Sequence, residues 1–219
     1  MGLAYRSLVW DFGGPVLLTP FELRAQTEQR LGLPPDTFPW SGPFDPAADP
    51  DWQELLAGEF TERQYWARRG DDYAAIDRGT GGAEGLRRLM CALYDADEDD
   101  LIRPEPTEIT TAARAAGMSV GILTNDLQAF HGAEWASRIS FLSTVDVVVD
   151  GSVEGLLKPD PRAYELICSR LGVAAGEVLL VDDQPANLAG AAAVGMAAVA
   201  FDVTDRAVSY ELVRSRLGL

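Results

Sequence analysis

Apolar residues in this chain gather in short unbroken runs instead of alternating with polar ones. Such runs span Ser7 to Asp11, Ser119 to Thr124, Val145 to Val149, Glu177 to Asp182 and Ala197 to Phe201. A continuous apolar strand suits a parallel sheet covered on both faces, where neither side of the strand meets water. The first run stops at an acid and then meets Gly13, Gly14 and Pro15, a turn signal. Helical stretches lie between the later runs. Thr107 to Ala116 is alanine-rich and stops at Gly117, Asp160 to Leu171 opens on an Asp-Pro pair and closes on Gly172, and Pro185 to Val194 closes on Gly195. An aspartate before a helix and a glycine after it match the needs of the two helix ends. Strands alternating with helices predict an α/β fold, a doubly wound parallel sheet.

Residues 18–103 break this rhythm. They hold few strand-like runs, three of the five tryptophans (Trp40, Trp52 and Trp66) and a proline-rich span from Leu33 to Pro50 that reads as an ordered loop. The segment is expected to be a mostly helical insert, with 1–17 and 104–219 forming the sheet domain and hinges near Leu17 to Pro20 and Ile102 to Pro106. Its aromatics, Phe21, Trp40, Phe44, Trp52, Tyr65 and Trp66, read first as the insert's own core, and second as contacts for an organic group. The acidic run Asp95 to Asp100 reads as a solvated turn.

Composition narrows the function. Net charge is −16, from 34 acidic and 18 basic residues, with no Lys/Arg-rich run. Such a chain repels nucleic acid and anionic membrane, so neither is expected as a partner. An acidic protein that handles an anionic substrate needs a local remedy, most simply a divalent cation. The two cysteines, Cys91 and Cys168, lie in apolar helical contexts and read as buried free thiols of a reducing compartment. The N-terminus carries no basic stretch followed by an apolar one, and no apolar run reaches about 18 residues. The expectation is a cytoplasmic protein, a monomer or homodimer.

One of the 18 basic residues is a lysine, Lys158, and it stands in Gly155-Leu-Leu-Lys158-Pro159-Asp160-Pro161. Lysine is a compact point charge where arginine is a wide planar fork, so a lone lysine before a turn points to a small site that holds an anion beside a carboxylate. Four segments then converge. Asp11 ends the first strand, Thr124 and Asn125 end the second, Lys158 opens the helix after the third, and Asp182 with Asp183 ends the fourth. In an open parallel sheet these ends share one rim, and ligands bind there. Asp11 and Asp183 offer hard oxygens suited to Mg²⁺, Asp11 could keep one oxygen to attack phosphorus, Lys158 would neutralise both nucleophile and phosphate, and Thr124 would bind phosphoryl oxygens.

These motifs resemble the haloacid dehalogenase superfamily, in the branch with a helical cap inserted after the first motif. The resemblance rests on Leu8-Val-Trp-Asp11-Phe-Gly-Gly14, Ile122-Leu-Thr124-Asn125, Leu157-Lys158-Pro159-Asp160-Pro161 with Tyr164, and Val181-Asp182-Asp183 with Asn187, in that order over nearly the whole core. It implies a phosphatase acting on a small phosphorylated molecule, with Asp11 as nucleophile, Thr124, Asn125 and Lys158 binding phosphate, and Mg²⁺ held by Asp11, Asp183 and the backbone carbonyl of Gly13. Asp182 would work on the attacking water or orient Lys158. The chain departs from the pattern at Gly13, where most phosphatases of the superfamily carry the aspartate that protonates the leaving oxygen, help that typically contributes about 10²–10⁴-fold. Some sugar-1-phosphatases of the superfamily resemble this chain in having glycine there. Good leaving groups are therefore expected. The alternatives are a metal-free dehalogenase-like hydrolase, whose relatives usually carry an aromatic-Gly-Thr sequence after the nucleophile where this chain has Phe12-Gly13-Gly14-Pro15, or a member that binds phosphate or a partner without turnover. Substitute acids would be His131, Glu22 or Tyr65.

Overall fold

Five short strands carry the sheet: β1 (Ser7–Trp10), β2 (Ser119–Thr124), β3 (Val147–Asp150), β4 (Val178–Asp182) and β5 (Ala197–Ala200). All pair in parallel, in the order β3-β2-β1-β4-β5, with Ser7 opposite both Ser119 and Val178. The computed structural model describes residues 4–59 and 61–219. Every residue of the central strands β1 and β4 is buried, as unbroken apolar runs require when helices cover both faces. Strand β3 starts at Val147, later than its apolar run; just before it the Asp146 carboxylate accepts from the Val120 amide at 2.8 Å.

Helices follow the strands as the cap signals dictate. Pro104–Ala115 opens on a proline, whose missing N–H costs nothing at a first turn. Pro161–Leu171 is capped by Asp160, whose side chain accepts from the Arg162 amide at 2.9 Å, and it ends on Gly172 with a left-handed backbone. Lys158 therefore lies in the turn before this helix and does not open it. Among the described residues no helix is long and apolar enough to cross a membrane.

The chain divides into two compact units, one running through Leu18 and resuming at Asp97, the other Thr19–Ala96. The stretch after Asp97 groups with the sheet through the backbone: the Leu18 amide donates to the Leu101 carbonyl at 2.8 Å, Ile102 bridges Leu17, and the Arg103 amide donates to Val16 at 2.9 Å. The acidic run is not wholly a turn. Glu98–Leu101 forms one helical turn, and the Glu98 carboxylate accepts from the Ser140 amide and hydroxyl and the Phe141 amide at 2.8–2.9 Å. Cys168 is buried as expected, but Cys91 is exposed, on the outward side of its helix, and both are free thiols.

The second unit is helical, built from Pro20–Arg30, Pro50–Leu56, Glu62–Asp77 and Gly82–Leu93. The last two cross in contact at Gly70 and Gly85: a Cβ on Gly70 would stand 2.5 Å from the Leu86 amide nitrogen, and one on Gly85 would stand 2.5 Å from the Gly70 carbonyl oxygen. Phe21 sits among Trp40, Trp52, Tyr65 and Trp66, with ring centroids 5.2–6.1 Å away. These rings are the unit's own core, while Phe44 is exposed. Asp49 anchors them. Its carboxylate accepts from the amides of Ser41 (3.0 Å), Gly42 (2.9 Å) and Trp52 (3.0 Å) and from the Tyr65 hydroxyl (2.7 Å). Burial alone would raise its pKa, but the four donors outweigh burial and hold it below the ordinary 3.8.

Asp49→Ala strands those buried donors and is expected to cost about 2–4 kcal/mol, read by urea unfolding with the tryptophan fluorescence of this unit. A depressed carboxyl pKa stabilises the fold above its unfolded value, and that contribution is lost as pH falls through the folded one. Acid should therefore loosen the wild-type unit below about pH 4 and leave the alanine variant less sensitive; equal midpoints and equal acid sensitivity would contradict this.

Candidate active site

The sheet order reverses direction between β1 and β4, and chain ends with chemistry on them collect at that switch. Asp11 follows β1, Asp182 closes β4, Asp183 comes next, and Thr124 closes β2 beside β1. One carboxylate oxygen from each of Asp11, Asp182 and Asp183 lies within 4.8 Å of the others. Asp11 is 8% exposed and Asp182 is 0% exposed.

The lone lysine arrives from the loop after β3. Lys158 Nζ lies 3.0 Å from Asp11 Oδ1 and 2.6 Å from Asp182 Oδ2, and the residue is 4% exposed. Its backbone is held from both sides by one amide: Asn125 Oδ1 accepts from the Lys158 amide at 2.7 Å, and Asn125 Nδ2 donates to the Lys158 carbonyl at 3.1 Å. The Lys158–Pro159 peptide is cis. The side chain of Asn125, which the motif suggested for phosphate, is thus turned to the lysine. Asp182 is saturated. Beyond Lys158 it accepts from the Gln184 amide at 2.9 Å and from Asn187 Nδ2 at 3.0 Å, and Asn187 is fixed by the Tyr164 hydroxyl donating to its carbonyl at 2.8 Å. A carboxylate so fully bonded orients Lys158 and is poorly placed to take a proton from water.

Asp11 differs. Its Oδ1 accepts from the Phe12 amide at 2.7 Å and contacts Lys158, while no hydrogen bond to its Oδ2 is seen among the described residues. Burial raises its pKa most, Lys158 opposes this, and the nearby Asp182 charge adds to it, leaving Asp11 at about 7. One ammonium is shared by two buried carboxylates, so a surplus negative charge remains. Burial would lower the Lys158 pKa, but Asp11 and Asp182 together push it up, and it stays an ammonium. Asp11 and Asp183 offer hard oxygens, and the surplus charge is of the sign a divalent cation would neutralise, so the residues present fit Mg²⁺.

Two glycines follow the nucleophile position, with different reasons. Gly14 has φ +85, and a Cβ there would stand 2.8 Å from Asp183 Oδ2. Only glycine accepts that backbone and that contact. Gly13 is exposed, and among the described residues no atom beyond its chain neighbours lies within 4 Å of where its Cβ would stand. A side chain is therefore not barred at the position where relatives carry an acid.

None of the proposed substitute acids is free for that task. His131 is half-buried with its Nδ1 enclosed and its ring stacked on Trp135, centroids 4.3 Å apart, and burial lowers its pKa to about 3. Glu22 caps the Thr19 amide at 2.8 Å, and Tyr65 serves Asp49. Sequence reasoning missed Arg103 and Tyr210, which bond the turn after Asp11. An arginine ahead of a proline looks like an ordinary helix flank, and its burial leaves no local signal.

The model of one family, the haloacid dehalogenase-like hydrolases, matches residues 48–195. This chain belongs to that family. It is 33% identical over 166 residues to (S)-2-haloacid dehalogenase 4A of Burkholderia cepacia, covering 73% of this chain and 68% of that protein. It is 32% identical over 152 residues to the phosphoserine phosphatase of Thermus thermophilus, covering 67% of this chain and 56% of the enzyme. Among solved structures, the magnesium-bound HAD-hydrolase YfnB from Bacillus subtilis shares the fold with a TM-score of 0.69 at 14% identity, covering 98% of this chain and 99% of that one. The chain spans about half the length, or less, of several curated relatives it matches. The parallel five-stranded sheet described above agrees with that family's α/β fold. Asp11, Lys158, Asp182 and Asp183 lie together at one end of the sheet.

Proposed function

We propose that this hydrolase cleaves a small organic phosphate monoester with Mg²⁺, through an aspartyl-phosphate on Asp11, and favours good leaving groups. The observation that supports this most is the shared ammonium. A buried lysine bridging Asp11 and the saturated Asp182, with Asp183 within 4.8 Å, is a place built for an anion and a cation together. Phosphatase-named relatives agree with it.

In this reading Asp11 Oδ2 attacks phosphorus, the ester P–O bond breaks, and the electron pair leaves with the substrate oxygen. Lys158, fixed by Asp182 and Asn125, favours the ionised form of Asp11 and faces the incoming phosphoryl charge. Thr124, at the end of β2, offers a hydroxyl to the phosphoryl oxygens. Water then attacks phosphorus, the P–Oδ2 bond breaks, and Asp11 returns as a carboxylate with the proton released to solvent. Mg²⁺ held by Asp11, Asp183 and the Gly13 carbonyl would neutralise phosphoryl charge. With glycine at position 13 the leaving oxygen receives no carboxylic proton, so anomeric sugar phosphates, acyl phosphates and anhydrides suit the site better than simple alkyl phosphates. Small phosphorylated molecules of the cytoplasm are the proposed substrates.

The open space at Gly13 makes this testable. Gly13→Asp is expected to accelerate kcat/KM for alkyl phosphates by about 10²-fold or more, with little gain for aryl or acyl phosphates. The slope of log kcat/KM against leaving-group pKa should flatten. An unchanged slope in a folded, Mg²⁺-binding variant would overturn the account of Gly13.

The 33% identity to a haloacid dehalogenase favours a second reading. There Asp11 would attack carbon, expel halide, and be freed when water attacks the Asp11 carbonyl carbon. Halide release from a 2-haloacid in the presence of a chelator would support it; phosphate release that stops with the chelator supports the first.

A further inference from the structure

The turn that follows Asp11 is clamped on three successive carbonyls by donors from distant parts of the chain. Arg103 Nε donates to Gly14 O at 2.8 Å, the Tyr210 hydroxyl donates to Pro15 O at 2.7 Å, and the Arg103 amide donates to Val16 O at 2.9 Å. Inside the turn, Gly14 donates to Leu17 O, and Val16 and Leu17 both donate to Phe12 O. Arg103 is 2% exposed, an unusual place for a guanidinium. The Gly14 peptide that it grips is also the wall against which Asp183 rests, since a Cβ on Gly14 would reach within 2.8 Å of Asp183 Oδ2 and 3.1 Å of its Cγ.

We infer that Arg103 is a positioning residue for the metal-binding carboxylate Asp183, acting through the Gly14 peptide. A glycine at positive φ has wide freedom on either side of its well. The Nε bond to its carbonyl fixes the plane of the peptide and with it the distance from Gly14 Cα to Asp183. Without that bond a buried carbonyl loses its donor, the turn relaxes to find another, and the wall behind Asp183 moves. The inference rests on the reading of Asp11 and Asp183 as cation ligands, so its test reports on binding separately from turnover.

The experiment measures Mn²⁺ binding to the full chain by the loss of the free-ion EPR signal, with thermal unfolding as a check of folding. Arg103→Met keeps the side chain as far as the Nε position, where it places a methyl, and removes the rest of the guanidinium. Arg103→Gln places an amide N–H at that same point without the charge. Partners of this outer kind typically set metal affinity by about 10- to 100-fold, so Arg103→Met should weaken Mn²⁺ by about that factor and Arg103→Gln should stay within about threefold of wild type. Tyr210→Phe, which frees Pro15 O but leaves Gly14 O bound, should bind Mn²⁺ like the wild type. Unchanged affinity in a folded Arg103→Met overturns the inference. So does an Arg103→Gln weakened by about 10-fold or more against wild type, a result that also decides the matter if the methionine variant does not fold, or a Tyr210→Phe weakened to that extent. Failure of wild type itself to bind Mn²⁺ would instead remove the metal reading beneath it.

Discussion

Asp11→Asn is expected to lower kcat by at least about 10⁴-fold, the scale on which removal of a covalent nucleophile acts, while the fold stays intact. The asparagine is isosteric and can keep the Phe12 amide bond that Asp11 Oδ1 accepts at 2.7 Å. It also removes one of the two carboxylates that compete for Lys158, so the surplus negative charge disappears. Stability should therefore hold or rise as activity falls. The sign follows from Asp11 itself: its folded pKa of about 7 lies above the ordinary 3.8, so ionising it costs stability that is fully felt above about pH 7. Phosphate-release assays and urea unfolding on the same preparations check both halves. Residual turnover near wild type would remove Asp11 from the chemistry, and a large loss of stability would mean that its charge is structural.

Lys158→Met is the second large effect, and it acts on stability as well as rate. The ammonium lies 2.6 Å from Asp182 and 3.0 Å from Asp11 with almost no solvent access. Breaking a buried ionic cluster by removing one member typically costs about 3–5 kcal/mol, because the remaining charges are left uncompensated. Here Asp11 can take up a proton, and loss of the ammonium that lowers its pKa moves that pKa up from about 7, so the cost should be small at about pH 6 and grow as pH rises above about 7, towards about 3 kcal/mol. Turnover should be lost across that range. Lys158→Arg tests the reason for a lysine here: the guanidinium keeps the charge but brings a planar fork into a space fitted to one nitrogen. It should recover part of the stability and little of the activity. Urea midpoints that do not depend on pH in Lys158→Met would contradict a cluster with surplus negative charge.

The sheet and the residues at its rim were legible for one reason, which is that both are local. An unbroken apolar run as short as Val178 to Asp182 between turn signals reads as a doubly covered strand, and the acid that ends such a strand lies at the rim. The lone lysine in an arginine-rich chain marked its own importance. Less local facts were hidden. The pairing of Asn125 with the Lys158 backbone spans the loops after β2 and β3, and no property of a Thr-Asn pair announces it. Arg103 lies far along the chain from the turn it grips, so neither composition nor periodicity marks it. His131 looked like a candidate acid because its ordinary pKa is near neutral, but its burial, which lowers that pKa to about 3, is a tertiary fact that reverses the inference. Cys91 sat in an apolar string yet faces outward, since a helix turns about 100° per residue and one polar face decides exposure.

Borohydride trapping during turnover tests the central claim most directly. An acyl phosphate on an aspartate is reduced to homoserine, which peptide mass spectrometry locates. With a phosphorylated substrate and Mg²⁺ present, the reduced residue should appear at position 11 and nowhere else, and it should vanish with chelator or in Asp11→Asn. Sustained phosphate release with no reduction at position 11, or reduction at another carboxylate, would contradict Asp11 as the group that carries the phosphoryl.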